Sequence, residues 1–392
     1  VMIGGDTITR SDLIRQLWLD NDYYGNVFSL QYTTPQTAVI IGGTVSNYKG
    51  RHFGQVIWAQ FGLPTPTHRW YDLPAEKTEG NVYAKWEQVL WTGLRLFTDV
   101  QVRQVAYNIN GFRNNPGLQV DNDWTFFNPK AGITYNKGRY TAFASFAVGS
   151  KEPNRDDFEA GSTEQPKPER LYDTEVGLQW AKGASRWGAT FYNMQYRDQL
   201  VLTGRINDVG AYARSNVAQS YRRGVELEAS ISVAAWLQAG LNLTLSRNRI
   251  LNFTEFVDDY DNGGQKATTF NSTPISFSPN LIVGGTVVLR PLEQLHVTLL
   301  PKYVSRQYLD NTGNKSRSLD PYFVQDLIAT YNLPLKVVKE CALTAAVYNV
   351  LNKRYEPNGY TFSYVLNNAL ATENFYYPMA GINFMAGLRV RL

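Results

Sequence analysis

Apolar and polar residues alternate with a period of two through most of this chain, and the pattern continues to the last residue. In the final stretch Ile382, Phe384, Ala386, Leu388, Val390 and Leu392 are apolar, and Asn383, Gly387, Arg389 and Arg391 lie between them. Val225, Leu227, Ala229, Ile231 and Val233 oppose Glu226, Glu228, Ser230 and Ser232 in the same way. Leu237, Ala239, Leu241, Leu243 and Leu245 oppose Gln238, Asn242, Thr244 and Ser246, and two further stretches, 94–103 and 172–180, repeat the pattern. A period of two is the signature of a strand with one apolar and one wet face. A sandwich core would have to bury charges on such strands at high cost, whereas a strand between lipid and a hydrated lumen would not.

Connection length alternates as well. Short turns are expected near 34–36, 91–93, 136–139, 182–185, 233–236, 290–294 and 334–338. Long connections are expected near 48–79, 108–123, 150–170, 200–220, 249–275, 306–320 and 351–379. Tight turns at one end and long loops at the other describe an outer-membrane barrel, with the long loops outside the cell. The pattern yields about 15 strands, each long enough to cross a bilayer on a tilt. No stretch approaches the roughly 18 consecutive apolar residues of a membrane helix. The last strand should run from outside to periplasm. Counting back, the first (about 26–34) runs inward too, which leaves residues 1–25 as the tail of an outer loop. An odd set of strands has an open edge, which lipid does not tolerate, so further N-terminal strands are expected outside this sequence. Residues 1–392 read as one domain.

Composition supports this reading without deciding it. Aromatic residues make up 14% of a chain that is polar overall, which suits a transmembrane barrel and also a secreted sandwich or propeller. A net charge of +4 makes no case for nucleic acid as a partner. The lone Cys341 reads as a small apolar residue on a strand. His52, His68 and His296 have no metal-ligand spacing. There is no Gly-x-Ser-x-Gly, P-loop, His-Glu-x-x-His or cysteine pair, so the chain is not read as an enzyme.

Several segments in order resemble the barrel of TonB-dependent receptors. Val347-Tyr-Asn-Val-Leu-Asn-Lys-Arg-Tyr355, followed by Tyr376-Tyr377-Pro378, Gly381 and the terminal strand, is similar to the family's C-terminal stretch. Pro168-Glu169-Arg170 resembles the start of a family strand, and Tyr221-Arg-Arg-Gly-Val-Glu-Leu-Glu228 and Ser276-Phe-Ser-Pro279 resemble later ones. Phe127-Asn-Pro-Lys130 and Glu152-Pro-Asn-Arg155 resemble a family hairpin. The resemblance spans roughly residues 20–392. It implies an all-β, antiparallel, up-and-down transmembrane barrel, of which this chain holds about 15 C-terminal strands out of 22. It places the chain in the outer membrane of a Gram-negative bacterium, against outer-membrane lipid. It further implies uptake of a scarce nutrient such as a ferric siderophore, powered by the TonB energy-coupling complex through an N-terminal plug that is absent here. The family usually ends on an aromatic residue, and this chain ends on Leu392.

The loops supply candidate contacts. Aromatic faces grip organic ligands and guanidinium groups grip acidic ones. Trp70, Tyr71, Trp124, Tyr308, Tyr360, Tyr364 and Phe375 provide the first, and Arg113, Arg155, Arg205, Arg306 and Arg317 the second. Aromatics also form the interfacial girdles of any barrel, which is the reading given to Tyr376 and Tyr377. Asp258, Asp259 and Asp261, preceded by Glu255 and followed by Gly263, offer oxygens on a turn. That pattern suits Ca²⁺ in an extracellular loop, and equally a solvated acidic loop. Energised uptake is the leading functional reading. A passive outer-membrane pore and a soluble all-β binding module stand as alternatives.

Overall fold

The computed structural model describes residues 2–3, 6–7, 9–61, 68–113, 115–160, 165–206, 212–335 and 337–392, with backbone alone at 2–3, 6–7, 160, 203–206 and 212–213. Among the described residues no helix is long and apolar enough to cross a membrane. The chain is all-β and built of antiparallel up-and-down strands, as the alternation requires. By internal contacts it divides into two units, one comprising 1–88, 97–129 and 161–165, the other 89–96, 130–160 and 166–392.

In the first unit, β1 (Leu13–Thr33) pairs with β2 (Thr37–Ala59), and β2 with β3 (His68–Trp91). β4 (Leu94–Asn110) and the start of β5 (Gln119–Lys137) complete it. Thr34 closes the first turn, its hydroxyl accepting the N–H groups of Gln36 and Thr37. The pairing continues far beyond what a bilayer needs, in register from Thr33↔Ala38 to Arg15↔Val56 and, past a bulge, on to Leu13↔Ala59. Residues 13–25 are therefore strand, not the loop tail expected from the sequence. The connection expected over 48–79 likewise shrinks, because β2 and β3 stay paired as far as Val56↔His68. The reason lies in the pairs themselves. Above the membrane the ladder is held by Asn47 to Glu76, Lys49 to Glu76 and Arg51 to Asp72, contacts that need no apolar face.

The second unit continues with β6 (Tyr140–Lys151), the short helix α1 (Arg155–Ala160), β7 (Glu169–Lys182), β8 (Ser185–Ile206), β9 (Tyr212–Ala234) and β10 (Leu237–Asp259). β11 (Gln265–Pro274) pairs with the upper half of β10, and β12 (Leu281–Leu292) with its lower half. β13 (Leu295–Val304), β14 (Tyr322–Asn332) and β15 (Glu340–Tyr348) follow in sequence. β16 (Asn358–Leu366) and β17 (Ala369–Tyr377) form a hairpin of their own, and β18 (Asn383–Arg391) returns to pair with β15. Each expected short turn falls between two of these strands. Gly138 and Gly183 both sit at φ +59°, a conformation that costs other residues a Cβ clash.

Four of the long connections expected from the sequence contain strands instead: besides 48–79, β8 and β9 occupy most of 200–220. β10 and β11 occupy most of 249–275, and the β16–β17 hairpin occupies most of 351–379. Elsewhere the alternation holds. The pairs Leu227↔Leu243 and Ala229↔Leu241 share the apolar face, and Glu226↔Thr244 and Glu228↔Asn242 share the polar one. Leu227, Ile231, Val233, Leu241 and Leu245 are exposed large apolar side chains, a surface made for lipid. Cys341 is a buried free thiol on β15 opposite Val390.

The C-terminal motif works as a turn lock. The Asn349 amide donates to the carbonyls of Lys353 and Ala380, and its oxygen accepts the N–H of Lys353. The Asn352 side-chain Oδ1 accepts the N–H of Ile382 and lies 2.6 Å from where a Cβ on Gly381 would stand. Both asparagines adopt φ +50°, the left-handed region that asparagine tolerates.

Candidate ligand-binding surfaces in the outer connections

In the first unit the outer ends of the strands carry an apolar core of their own. Val105 and Phe112 are fully buried, and Phe53, Leu73, Ile109, Val120 and Phe126 are nearly so. This core holds a layer of aromatic and cationic side chains in place. Trp70 and Tyr71, adjacent on β3, meet edge to face at 5.4 Å. Both rings lie across Gly54 of β2, where any side chain would overlap them. The Arg15 guanidinium lies over Trp70 at 5.7 Å, and that of Arg113 lies over Tyr71 at 6.0 Å. Beside them Trp18 stacks on Phe53, and Arg69 covers the other ring at 3.8 Å.

The cations of this layer fall into two groups. Arg51 and Arg69 are both bound by Asp72, at 2.6 and 2.8 Å. Hydrogen bonding from Arg51, with Arg69 adding to it, holds the Asp72 carboxyl below the usual carboxylate range despite some burial. Arg15 and Arg113 are exposed and have no carboxylate partner among the described residues. Two guanidinium groups over two aromatic faces, with no acid bound to either among the described residues, are the chemistry that an acidic ligand with flat groups needs. Trp124, further along this unit, meets Tyr107 edge to face at 5.6 Å, and Lys77 covers that Tyr ring.

In the second unit the outer connections lock to one another. Arg317, 2% exposed, binds Asp310 at 2.8 Å and Glu255 on β10. Burial pulls its pKa down, but the hydrogen bonds to Asp310 and Glu255 outweigh this and hold it above the ordinary arginine value. Asn311, fully buried, accepts the N–H of Ser276 and reaches the carbonyl of Leu202. The Asp261 carboxylate accepts the N–H groups of Asn367 and Asn368 at the tip of the β16–β17 hairpin. Tyr260 donates its N–H to the Val365 carbonyl, and its ring lies 5.5 Å from that of Tyr364.

The sequence candidates in this unit are thus placed very differently. Arg317 is a buried structural cation and cannot reach a ligand. Arg306 binds the Ser318 hydroxyl and Asp320. Tyr308 sits in a two-residue ladder opposite Ser318. Tyr360 stacks on Phe375 at 4.7 Å, and Tyr364 donates to Glu373, which raises its phenol pKa. Arg155 begins α1, and the side chain of Arg205 lies outside the described residues. The four acidic candidates do not converge, and no metal-holding group of three appears among the described residues. Asp259 binds Asn262 and two backbone N–H groups, Asp258 binds Gln265, Asp261 caps the hairpin and Glu255 holds Arg317.

Sequence reasoning missed Arg15, Gly54 and Asp72. Arg15 fell in a stretch read as loop tail, and a glycine beneath two rings shows itself only once the strand register is known.

Comparison with known proteins agrees with this architecture. The family described as "TonB dependent receptor-like, beta-barrel" matches residues 4–350. No curated protein matches the sequence. Among solved structures, the siderophore receptor PiuA from Acinetobacter baumannii superposes with a TM-score of 0.67 at 14% identity, covering 95% of this chain and 56% of its own. The copper transporter OprC gives 0.71 at 14% identity, over 95% and 57%. The ferripyoverdine receptor of Pseudomonas aeruginosa, bound to ferripyoverdine, gives 0.61 at 14% identity, over 98% and 50%. The chain therefore spans about half the length of these proteins, and at such identity the likeness is one of fold.

Proposed function

The chain belongs to the TonB-dependent receptor-like β-barrel family of the Gram-negative outer membrane, and from that premise we propose that it forms the barrel wall and outer capture surface of a receptor for a ferric siderophore or similar iron complex. TonB, acting through a plug of the family's kind, supplies the energy for uptake in this reading. Outer-membrane lipid covers the apolar face of the strands.

The observation that carries the proposal is the pairing of Arg15 with Trp70 and of Arg113 with Tyr71. A ferric chelate with acidic, flat chelating groups offers each pair what it lacks: an anion for the guanidinium and a π-face for the ring. The similar solved structures named for siderophores and ferripyoverdine support the choice of cargo class.

The test is uptake of radio-iron chelates by cells expressing the complete gene, with and without a protonophore. Energy-dependent accumulation of a catecholate or hydroxamate chelate is the expected result. Entry that persists unchanged after the proton gradient is collapsed would establish the passive pore instead.

A further inference from the structure

Thr330 and Thr344 meet hydroxyl to hydroxyl on the polar face of β14 and β15. Their sequence neighbours Ala329, Tyr331, Leu343 and Ala345 therefore occupy the opposite, apolar face, the one that a barrel turns to lipid. On that face, at the short-turn end of β13, β14, β15 and β18, lies an apolar groove of about 520 Å³. Strand register explains it. Ala329, Ala345 and Ala386 stand opposite one another across three strands and form a low floor. One row nearer the turns, Tyr331, Leu343 and Leu388 rise from the sheet as one wall. One row further from the turns, Leu327, Val347 and Phe384 form the other. The groove faces neither the lumen nor a plug. Any strand paired with the far edge of β18 lies in the plane of the sheet, beside the groove and not over it.

The short-turn end of the groove is cationic. The Lys339 N–H donates to the Arg391 carbonyl at 2.8 Å, which sets the two residues on neighbouring strands just beyond the nearer wall. Lys339 is in step with Cys341 and Leu343 and so belongs to the face of the groove. It stands about 13 Å along the strand from Leu343, so a lipid lying along β15 reaches both. The nearest acid, Glu340, is bound by Arg389 at 2.5 Å. Lys339 and Arg391 are exposed and have no ion-pair partner among the described residues. Arg290 and Glu293, at the neighbouring turn between β12 and β13, offset each other in charge.

We infer that this groove is a binding site for one phospholipid with an anionic headgroup, taken from the periplasmic leaflet. An acyl chain lies on the alanine floor between the two walls, and the phosphate lies between Lys339 and Arg391. The two halves of the site together define the occupant. An apolar channel open to the bilayer suits any lipid chain, and unpaired cations at headgroup level select an acidic lipid. The Tyr331 ring, apolar in body and polar at its tip, stands at the boundary between them. The volume falls within the range of small-molecule pockets. Such a lipid is held at one place on the wall, unlike the general cover of the apolar strands, and its binding does not depend on the iron-complex reading.

The experiment is native mass spectrometry of the whole detergent-purified protein, titrated with phosphatidylglycerol and with phosphatidylcholine of the same chains. One phosphatidylglycerol should be retained per protein, at a half-saturating concentration about tenfold lower than that of phosphatidylcholine, as two cations near the headgroups imply. In K339Q/R391Q that preference should vanish while weak retention of both lipids is kept. A345F stands a ring on the floor and should weaken retention of both lipids about tenfold. Glycerol phosphate, the headgroup without the chains, should not compete. Equal retention of both lipids, a preference kept in the double variant, unaltered retention in A345F, competition by glycerol phosphate, or a lipid-free dimer would each overturn the inference. The ranking of the lipids in the unaltered protein tests it even if a variant fails to fold.

Discussion

Arg51 on β2 and Asp72 on β3 meet fork to fork, with Nε on Oδ1 and Nη2 on Oδ2, both at 2.6 Å. The pair ties the two strands together where the ladder has left the membrane. It also gives the outer arm a pH response of definite sign. Asp72 has a folded-state pKa below its ordinary value, chiefly through the Arg51 bond. Its stabilising contribution is therefore complete above the unfolded value of about 3.9 and is lost as pH falls through the lower folded value. Amide protection over 47–56 and 68–79, taken relative to the intrinsic exchange rate at each pH, should be high at neutral pH and fall in that acid window. In D72N exchange should be faster at neutral pH and the acid step should disappear. An acid step of unchanged size in D72N would sink this assignment.

Arg317 and Arg306 should answer differently to the same change. Removing Arg317 leaves the buried Asp310 and the half-buried Glu255 carboxylates with no cation, a defect costing about 3 kcal/mol. Removing Arg306 frees Asp320, which is 81% exposed, and should cost less than about 1 kcal/mol. Limited proteolysis between 305 and 321 reads this directly. R317A should be cut readily and R306A should resemble the parent.

Gly54 is the seat of the Trp70 and Tyr71 rings. G54L must displace both rings from the strand, because no side chain fits beneath them. The tryptophan emission should shift to the red, and affinity for the iron complex should fall about tenfold, the loss of one good contact. An unshifted spectrum with unchanged affinity would remove these rings from the capture surface.

Arg15 and Arg113 should act on capture, not on passage. R15A and R113A are each expected to raise the half-saturating concentration for uptake about tenfold while leaving the maximal rate unchanged. Loss of the maximal rate with unaltered half-saturation would show that the two guanidinium groups do something other than bind cargo.

The membrane part of the fold was legible because bilayer and lumen force adjacent residues apart in polarity, as in Val225 to Val233. Its turns were legible because Gly138 and Gly183 mark backbone that other residues resist. The outer arms were not. In water a paired strand can be polar on both faces, so Asn47 to Arg51 looks like loop although every one of these residues is paired with β3. The β16–β17 hairpin hid for a related reason: Tyr360, Phe362 and Tyr364 do alternate with Thr361 and Ser363, but Tyr360 and Tyr364 suggest ligand contacts, and Tyr376 and Tyr377 a girdle, before either set suggests a strand. Of the candidate site, Trp70, Tyr71 and Arg113 were legible as residue types. Their convergence with Arg15 depends on a register that pairs Arg15 with Val56 past a bulge, and no local pattern announces that. Arg317 was misread because nothing in a polar segment signals that one of its arginines is sealed from water.

The length of the β1–β2 ladder has a mechanical side. β2 has 23 residues, and a bilayer crossing uses about 9–11. About 12 residues of continuous ladder therefore stand clear of the lipid, roughly 40 Å of it at the usual rise per residue. Ribbon of this kind resists bending far better than free chain. It behaves as a mast, not a tether, and holds the proposed Trp70 and Tyr71 capture surface at a set height above the lipid. A large complex arriving from the medium meets that surface before it meets the membrane, and the entropy of ordering the capture site was settled when the protein folded.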